Sequence, residues 1–297
     1  KRQAWDGVAD RALWSQLGEM GVLALMAPES AGGMGMSELD LILLLVETGR
    51  CAMPEPVVDT AAVAVPMLAA VDHPSLGAVA GGDQAVAVGF EDDPVVRTDA
   101  DLLLLQRDDA WHLVPVDEVN ATPEQSVDGA RRLATIQWEP TADTQITDDP
   151  AATSSAFDRA VLGLSAQLLG LADHLLAVTV EYVQEREQFG RPIGSYQALK
   201  HKLADVLMAL DFARPMVARA GYSLATGDPS ASVHVSMAKA YAAQAGLTAA
   251  SSALQCHGAI AYTVEYDLHM WMKRVWALSA QWGDAAWHRR RVGEAIL

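Results

Sequence analysis

The sequence predicts a mainly α protein with a small β domain in its middle. Three observations predict this. Apolar residues recur at helical spacing before about residue 80 and again after about residue 149. Between those limits, short alternating runs are separated by Asp-, Pro- and Gly-rich turns. Half of the 297 residues are apolar, aromatics are only 6%, and alanine is abundant, a composition suited to closely packed helices. The expected layout is an N-terminal helical domain over residues 1–80, a β domain over 81–148, and a C-terminal four-helix bundle over 149–297.

Residues 10–20 read as an amphipathic helix, with Leu13, Trp14, Leu17 and Met20 on one side and Gly21 closing it. The glycine-rich stretch PESAGGMGM at 28–36 invites a phosphate-loop reading. No Lys-Ser/Thr follows it, so a plain connector is expected. Ser37 and Asp40 form a capping-box variant that opens a helix running through 41–48 to Gly49. After Pro54 and Pro56, residues 57–70 make a further apolar helix. Strands are expected at 85–90, 102–105, 111–114 and 133–138, with Arg107-Asp-Asp-Ala110 as a hairpin loop. An Asp-rich linker, 141–152, leads to helices at 157–187, 195–226, 229–256 and 265–295. Gly227 closes the second of these, and Asp228 and Pro229 supply the N-cap and first-turn proline of the third. Short connections between long helices suggest an antiparallel bundle, whose regularly spaced Met and Leu are core.

The formal net charge of −17 argues against a nucleic-acid or anionic-membrane binder, so an anionic ligand needs local basic residues. Two cysteines, Cys51 and Cys256, make no disulfide framework and point to a reducing cytoplasm. No apolar run is expected to reach membrane-spanning length; 39–46 is too short and is interrupted by Asp40. No secretory signal is expected, and a start without Met reads as a trimmed end.

The richest stretch is EREQFGRPIGSYQ at 185–197. A helix is expected to stop at Phe189-Gly190, where glycine takes a left-handed cap and Pro192 forbids resumption. Ser195 restarts a helix carrying Leu199, Leu203, Val206, Leu207 and Leu210 at helical spacing. Two arginines, a glutamine and an aromatic at the mouth of a helix pair suit a phosphorylated ligand, because guanidinium forks match phosphate oxygens. The same residues also suit a polar helix–helix turn.

Arg186 to Asp205 closely resembles the acyl-CoA dehydrogenase signature R-x-Q-F-G-R-P-I-G-x-[FY]-Q-x-x-K-H-x-L-A-D. The resemblance extends from about Leu13 to Arg291. It includes the glycine loop and the run H-G-x-x-x-Y-T-x-E-x-D-L-H-x-x-x-[KR]-R from His257 to Arg274. It implies an N-terminal helical domain, a reduced middle β domain and a C-terminal four-helix bundle. It also implies FAD shared at a subunit interface, with one subunit gripping the adenine and pyrophosphate end of its neighbour's flavin. The gripping positions map to Arg186, Gln188, Phe189 and Gln197, and to Gln255, Cys256 and Gly258 in a second segment. There Ala259 and Ala261 stand where the family usually has glycine, and a methyl can obstruct close backbone approach.

Two departures stand out. Nothing between residues 84 and 147 resembles the family's T-E-P-x-x-G-S-D ring-binding strand and loop, so this subunit is not expected to hold a flavin ring. The family's base removes the proton next to a thioester carbonyl. Its two alternative positions map to Ala160 and Trp282, neither of which accepts a proton, so no catalytic residue is expected. Asp158 and Asp284 lie two residues away and read as a helix-start charge and a solvated helix residue. His257 and His269 read as structural. His288-Arg-Arg-Arg291 reads as a solvated basic helix end, with CoA phosphates or an acidic partner surface as the alternative. No metal site is expected.

These features resemble the shortened, non-catalytic subunit of actinobacterial α2β2 acyl-CoA dehydrogenases of steroid side-chain breakdown. That resemblance implies a full-length homologous partner, an acyl-CoA substrate and electron-transfer flavoprotein as acceptor. Two alternatives stay open: a self-sufficient homo-oligomeric dehydrogenase, and a non-enzymatic scaffold subunit.

Overall fold

The computed structural model describes Trp5 and residues 11–91, 93 and 95–297. The expected helix start at Asp10, and Asp92 and Pro94 of the expected turn, lie outside the described residues. The protein is mainly α with a small mixed β region between helical segments, as the sequence predicts. The chain forms two compact units, Lys1–Leu44 with Pro54–Gly163 and Leu45–Met53 with Leu164–Leu297.

In the first unit, α1 (Arg11–Glu19) buries Trp14, while Met20 falls outside the helix and is 70% exposed, against expectation. The glycine loop bonds to its own backbone. The N–H groups of Gly32, Gly33, Met34, Gly35 and Met36 donate to Glu29, Pro28, Ala24, Ala27 and Leu25 carbonyls. With those donors satisfied, the loop is a connector and not an anion cradle. Asp40 Oδ2 accepts both the Ser37 N–H (3.0 Å) and the Ser37 hydroxyl (2.8 Å), which opens α2 (Glu38–Arg50). Helical residues Val58–Ala64 form a π-turn that passes into α3 (Val65–Ala70), and α4 is Leu76–Ala80.

The β region holds two sheets. β1 (Val86–Gly89), β3 (Leu102–Arg107), β4 (Ala110–Pro115) and β7 (Gln145–Thr147) lie in the order β1-β3-β4-β7. β1 runs parallel to β3, and the remaining pairs are antiparallel. β2 (Val95–Arg97), β6 (Leu133–Gln137) and β5 (Asn120–Glu124) form the second. The expected hairpin loop is a two-residue turn, with Arg107 opposite Ala110 and both Asp108 (φ 51°) and Asp109 (φ 64°) left-handed. That geometry matches strand twist, and Asp tolerates it. The open edge of β1 is covered by the π-turn: Asp59 accepts the Val88 N–H (3.0 Å), and Thr60 bonds the N–H and C=O of Val86. Burial pushes the Asp59 carboxyl above the usual carboxylate range, with Arg97 opposing.

The long helix α5 (Pro150–Glu185) starts inside the expected linker. Asp149 Oδ1 accepts the Ala151 N–H at 2.9 Å and Pro150 occupies the first turn, a proper helix start. Asp158 therefore lies well inside the helix and is buried at 3% exposure, not a helix-start charge. The expectation about apolar runs also needs correction. An 18-residue window of α5 reaches a mean hydropathy of 1.6, enough by length and composition to cross a membrane. Since 72% of that window is buried inside the protein, core packing accounts for its hydropathy.

In the second unit, α2 crosses α5 at two glycines. A Cβ on Gly49 would stand 2.1 Å from the Gln167 carbonyl oxygen, and one on Gly170 would stand 1.9 Å from that of Val46. Gly49 is thus a close-packing point within α2, not its terminator. The bundle continues with α6 (Gln197–Ala225) and α7 (Ala231–His257). Gly227 (φ 65°) closes α6 as expected, but Asp228 sits in a turn, accepting the Ser230 N–H at 2.8 Å, and Ser230 is the N-cap position of α7. Leu207 is 46% exposed, so it is not core, while Val206 and Leu210 are. The expected last helix is two, α8 (Leu268–Ala280) and α9 (Ala285–Ile296). They are separated by a break at Trp282 (φ 53°) and Gly283 (φ 95°).

Candidate functional site

The motif corner differs from the expected glycine cap. α5 ends at Glu185, and β8 (Glu187–Gln188) and β9 (Arg191–Pro192) form a small hairpin. Its two-residue turn is Phe189 (φ 55°) and Gly190 (φ 78°). Phenylalanine in the left-handed region is strained, by about 1–2 kcal/mol, and here burial gives nothing back, because Phe189 is 90% exposed. Its ring stands edge-on to Tyr196 at 6.5 Å, and the Arg191 guanidinium lies over the Tyr196 ring at 4.2 Å. The Arg186 carbonyl accepts the Ile193 N–H (2.8 Å), which fixes the base of the hairpin to the end of α5. Gly194 lets the next turn pass close to the helix; a Cβ there would meet the Val183 carbonyl oxygen at 2.8 Å. Arg186, Gln188 and Gln197 are all exposed.

The second motif segment meets this corner through a shared core. Val183 of α5, Ile193 of the turn and Cys256 of α7 form one buried cluster, with Tyr182, Tyr196, Leu199 and Leu203 packed against it. Gln255 and Gly258 are exposed at the end of α7. Gly258 adopts φ 67°, ψ −141°, a conformation essentially restricted to glycine. Cys256 is 6% exposed, and burial raises its thiol pKa against the opposing charge of Lys202. It belongs to the buried cluster and not to the exposed surface of the corner. The two alanines also separate: Ala259 is exposed, whereas Ala261 is 0% exposed and its methyl is packed inside.

The two positions expected to correspond to the family's base are both buried. Ala160 is 0% exposed within α5. Trp282 is 6% exposed and sits in the break between α8 and α9, not on a helix. Asp284 is the N-cap of α9, accepting the Trp287 N–H at 2.7 Å, which lowers its pKa. The break is held from below by two buried groups. Lys239 Nζ, 0% exposed, donates to the carbonyls of Leu278 (3.0 Å), Gln281 (2.8 Å) and Gly283 (3.1 Å). His288, also 0% exposed, bonds the Trp282 carbonyl (3.1 Å) and the Ser236 hydroxyl (3.2 Å). Burial, and then the nearby Lys239 charge, depress its pKa to about 4. His288 is thus a buried neutral imidazole and not part of a solvated basic end; Arg289 and Arg290 are exposed.

Sequence reasoning missed Lys239. The available signal was that it is the only Asp, Glu, Lys or Arg in the 27 residues of α7. It also gave His257 no partner, whereas the ring has three contacts, with Ala253, Tyr182 and Tyr266.

The acyl-CoA dehydrogenase C-terminal domain model matches residues 151–297 and the N-terminal domain model matches residues 1–71. The chain belongs to the acyl-CoA dehydrogenase family. Among its relatives, acyl-CoA dehydrogenase IpdE2 of Mycobacterium tuberculosis is 36% identical over 269 residues, covering 89% of this chain and 80% of that protein. Among solved structures, a variant of the Tcur3481-Tcur3483 steroid ACAD superposes with a TM-score of 0.87 at 25% identity, over 99% of this chain and 91% of that one. The ChsE4-ChsE5 complex from Mycobacterium tuberculosis shares the fold, with a TM-score of 0.87 at 24% identity over 99% and 91% of the two chains.

Proposed function

We propose that this chain is a subunit of an FAD-dependent acyl-CoA dehydrogenase that introduces an α,β double bond into a CoA thioester. It completes the adenine and pyrophosphate end of a flavin whose ring is seated in a full-length homologous partner, in an α2β2 assembly. A steroid side-chain CoA is the proposed substrate class, in keeping with the Tcur3481-Tcur3483 steroid ACAD it superposes on. The free cysteines, one exposed and one buried, fit a cytoplasmic enzyme. We keep the three-part division at residues 80 and 148 as the domain plan.

One observation carries the reading. A polar, exposed corner is joined by a common core to a glycine-only helix exit, while both base positions are sealed by Ala160 and Trp282. The donor set fits the anionic end of the dinucleotide. Arg186 offers a guanidinium fork to phosphate, Gln188 and Gln255 offer amides, and Gly258 lets backbone approach without a Cβ. Phe189 presents an apolar face for an adenine, and Gln197 stands at the first turn of α6, where helix N–H groups favour negative charge. Bound FAD would supply the hydride acceptor. This chain's residues bind and orient the cofactor's distant end, and the proton next to the thioester carbonyl is left to an acid on the partner.

Purification through a tag on this chain, followed by counting flavin per chain, tests the reading. The expected result is colourless, inactive protein when expressed alone, and one flavin per pair of chains with a homologous subunit. Dehydrogenase activity and one flavin per chain in the isolated protein would overturn it.

A further inference from the structure

The two arms of the proposed grip are joined by more than apolar packing. His257 lies between Gln255 and Gly258 and is only 5% exposed. Its Nδ1 is 2.9 Å from the Ala253 carbonyl oxygen, one turn back in α7. A carbonyl can only accept, so Nδ1 carries the proton. Nε2 then offers a lone pair, and Tyr266 O–H donates to it at 3.2 Å. One face of the ring is stacked on Tyr182, with centroids 4.1 Å apart and planes 23° apart. Tyr182 is one turn before Arg186 on α5 and its carbonyl accepts the Arg186 N–H at 2.8 Å. It also packs against the Val183, Ile193 and Cys256 cluster. A single imidazole thus ties the helix that leads to Arg186, the helix end that carries Gln255 and Gly258, and the following segment through Tyr266. Burial lowers the pKa of His257 and raises that of Tyr266, which keeps imidazole neutral and phenol protonated, as this donor order requires.

From this geometry we infer that His257 is a positioning residue for the dinucleotide grip: it touches no ligand, and it sets the spacing between Arg186 on one arm and Gln255 and Gly258 on the other. The inference rests on the proposed function and deepens it. The Gly258 N–H itself closes the helix end on the Leu254 carbonyl, and a 3-10 turn over Gly258–Tyr262 follows. The His257 bond to Ala253 fixes the last helical turn before it, and the bond from Tyr266 fixes the chain after it.

The test uses the complex captured by a tag on this chain. FAD is removed, then titrated back while flavin fluorescence is followed, for wild type, His257→Phe, His257→Gln, Tyr266→Phe and Arg186→Ala. His257→Phe keeps an aromatic face for Tyr182 but loses both hydrogen bonds. It is expected to raise the FAD dissociation constant about tenfold, and Tyr266→Phe about threefold. KM for acyl-CoA at saturating FAD should not change. His257→Gln, which restores a polar atom toward Tyr266, should recover part of the loss. If Arg186→Ala weakens FAD but His257→Phe and Tyr266→Phe both stay within twofold of wild type, the positioning role is wrong and the FAD-gripping function stands. If Arg186→Ala also leaves FAD affinity unchanged, the function itself fails and the inference falls with it. Should His257→Phe not assemble, Tyr266→Phe alone decides, because it removes one hydroxyl and leaves every ring in place.

Discussion

The 186–197 corner and the 281–284 break are both non-helical interruptions in the same unit, and each holds a non-glycine residue at positive φ followed by a glycine. They are built in opposite ways. At the corner the strained aromatic, Phe189, is 90% exposed, and the polar residues around it, Arg186, Gln188 and Gln197, face outward. At the break the strained aromatic, Trp282, is 6% exposed, and the polar groups beneath it, Lys239 and His288, are fully buried and bonded to its carbonyls. At the break the strain is offset by burial; at the corner it is held by the β8–β9 pairing, and a ligand on the exposed ring would offset it further. The contrast predicts that damage at the break reads out as lost stability, and damage at the corner as lost ligand.

The break gives the largest expected effect. Lys239→Met removes the one donor shared by three carbonyls and leaves buried acceptors unsatisfied. Each such group costs about 1–3 kcal/mol, so a loss of about 3–5 kcal/mol is expected in denaturant unfolding. A loss under about 1 kcal/mol would show that the break is not held this way.

The acid side of the stability curve comes next. His288 is depressed from 6.5 to about 4 in the folded protein. Between those values the unfolded chain takes up the proton and the folded chain does not. The His288 contribution is therefore complete above about pH 6.5, falls as pH drops, and is exhausted below about pH 4. At about 1.4 kcal/mol per tenfold change in proton affinity, the total is about 3 kcal/mol. Unfolding free energies measured from pH 7 to pH 4, in wild type and in His288→Phe, should differ in slope across that window. Parallel curves would remove His288 from the account.

At the corner, Arg186→Ala should leave the melting temperature unchanged and weaken FAD retention in the complex by about 1.5–3 kcal/mol, the range for a hydrogen bond to a charged group. Equilibrium dialysis against flavin measures this. Equal loss of stability and of flavin would make the corner a second structural turn, and the comparison would collapse.

How far the sequence reveals these regions follows from their physics. The first three bundle helices and the Asp108-Asp109 hairpin are legible because periodicity and turn chemistry survive in one dimension, whereas the β8–β9 hairpin stands where a glycine cap is expected. Five strands are not legible: β8 and β9 have two residues each, and three more lie in the β region. β5 runs Asn-Ala-Thr-Pro-Glu, with every residue exposed, and β2 and β7 are three residues each, too short for alternation to register. The start of α5 is signalled by Asp149-Pro150 but hidden among other aspartates, which make the segment look like a linker. The break at Trp282 is signalled only by Gly283 and the N-cap Asp284, with no proline to reinforce them and with apolar periodicity running on across it. Its cause, Lys239, lies more than forty residues away in a helix whose alanine-rich neighbours say only that something packs tightly there. The motif that proposes the candidate site could not show the burial of Cys256 and Ala261, because a residue pattern carries no information about which way a helix end is rotated.

The smallest expected effect separates the two regions most sharply, because its two parts have opposite sign. Phe189→Gly relieves a left-handed phenylalanine whose side chain is already in water, so the folded chain gains from removed strain and loses little burial. Greater freedom of glycine in the unfolded chain cancels part of that gain, leaving about 0.5–1 kcal/mol of stabilisation. The same change deletes the exposed ring proposed to face the adenine, so flavin retention should fall while the melting temperature rises. A residue selected for packing cannot behave this way, since its removal costs stability first. If Phe189→Gly destabilises the protein, the turn is supported by its Tyr196 contact more than by its backbone, and the exposed strain is not held in reserve for a ligand.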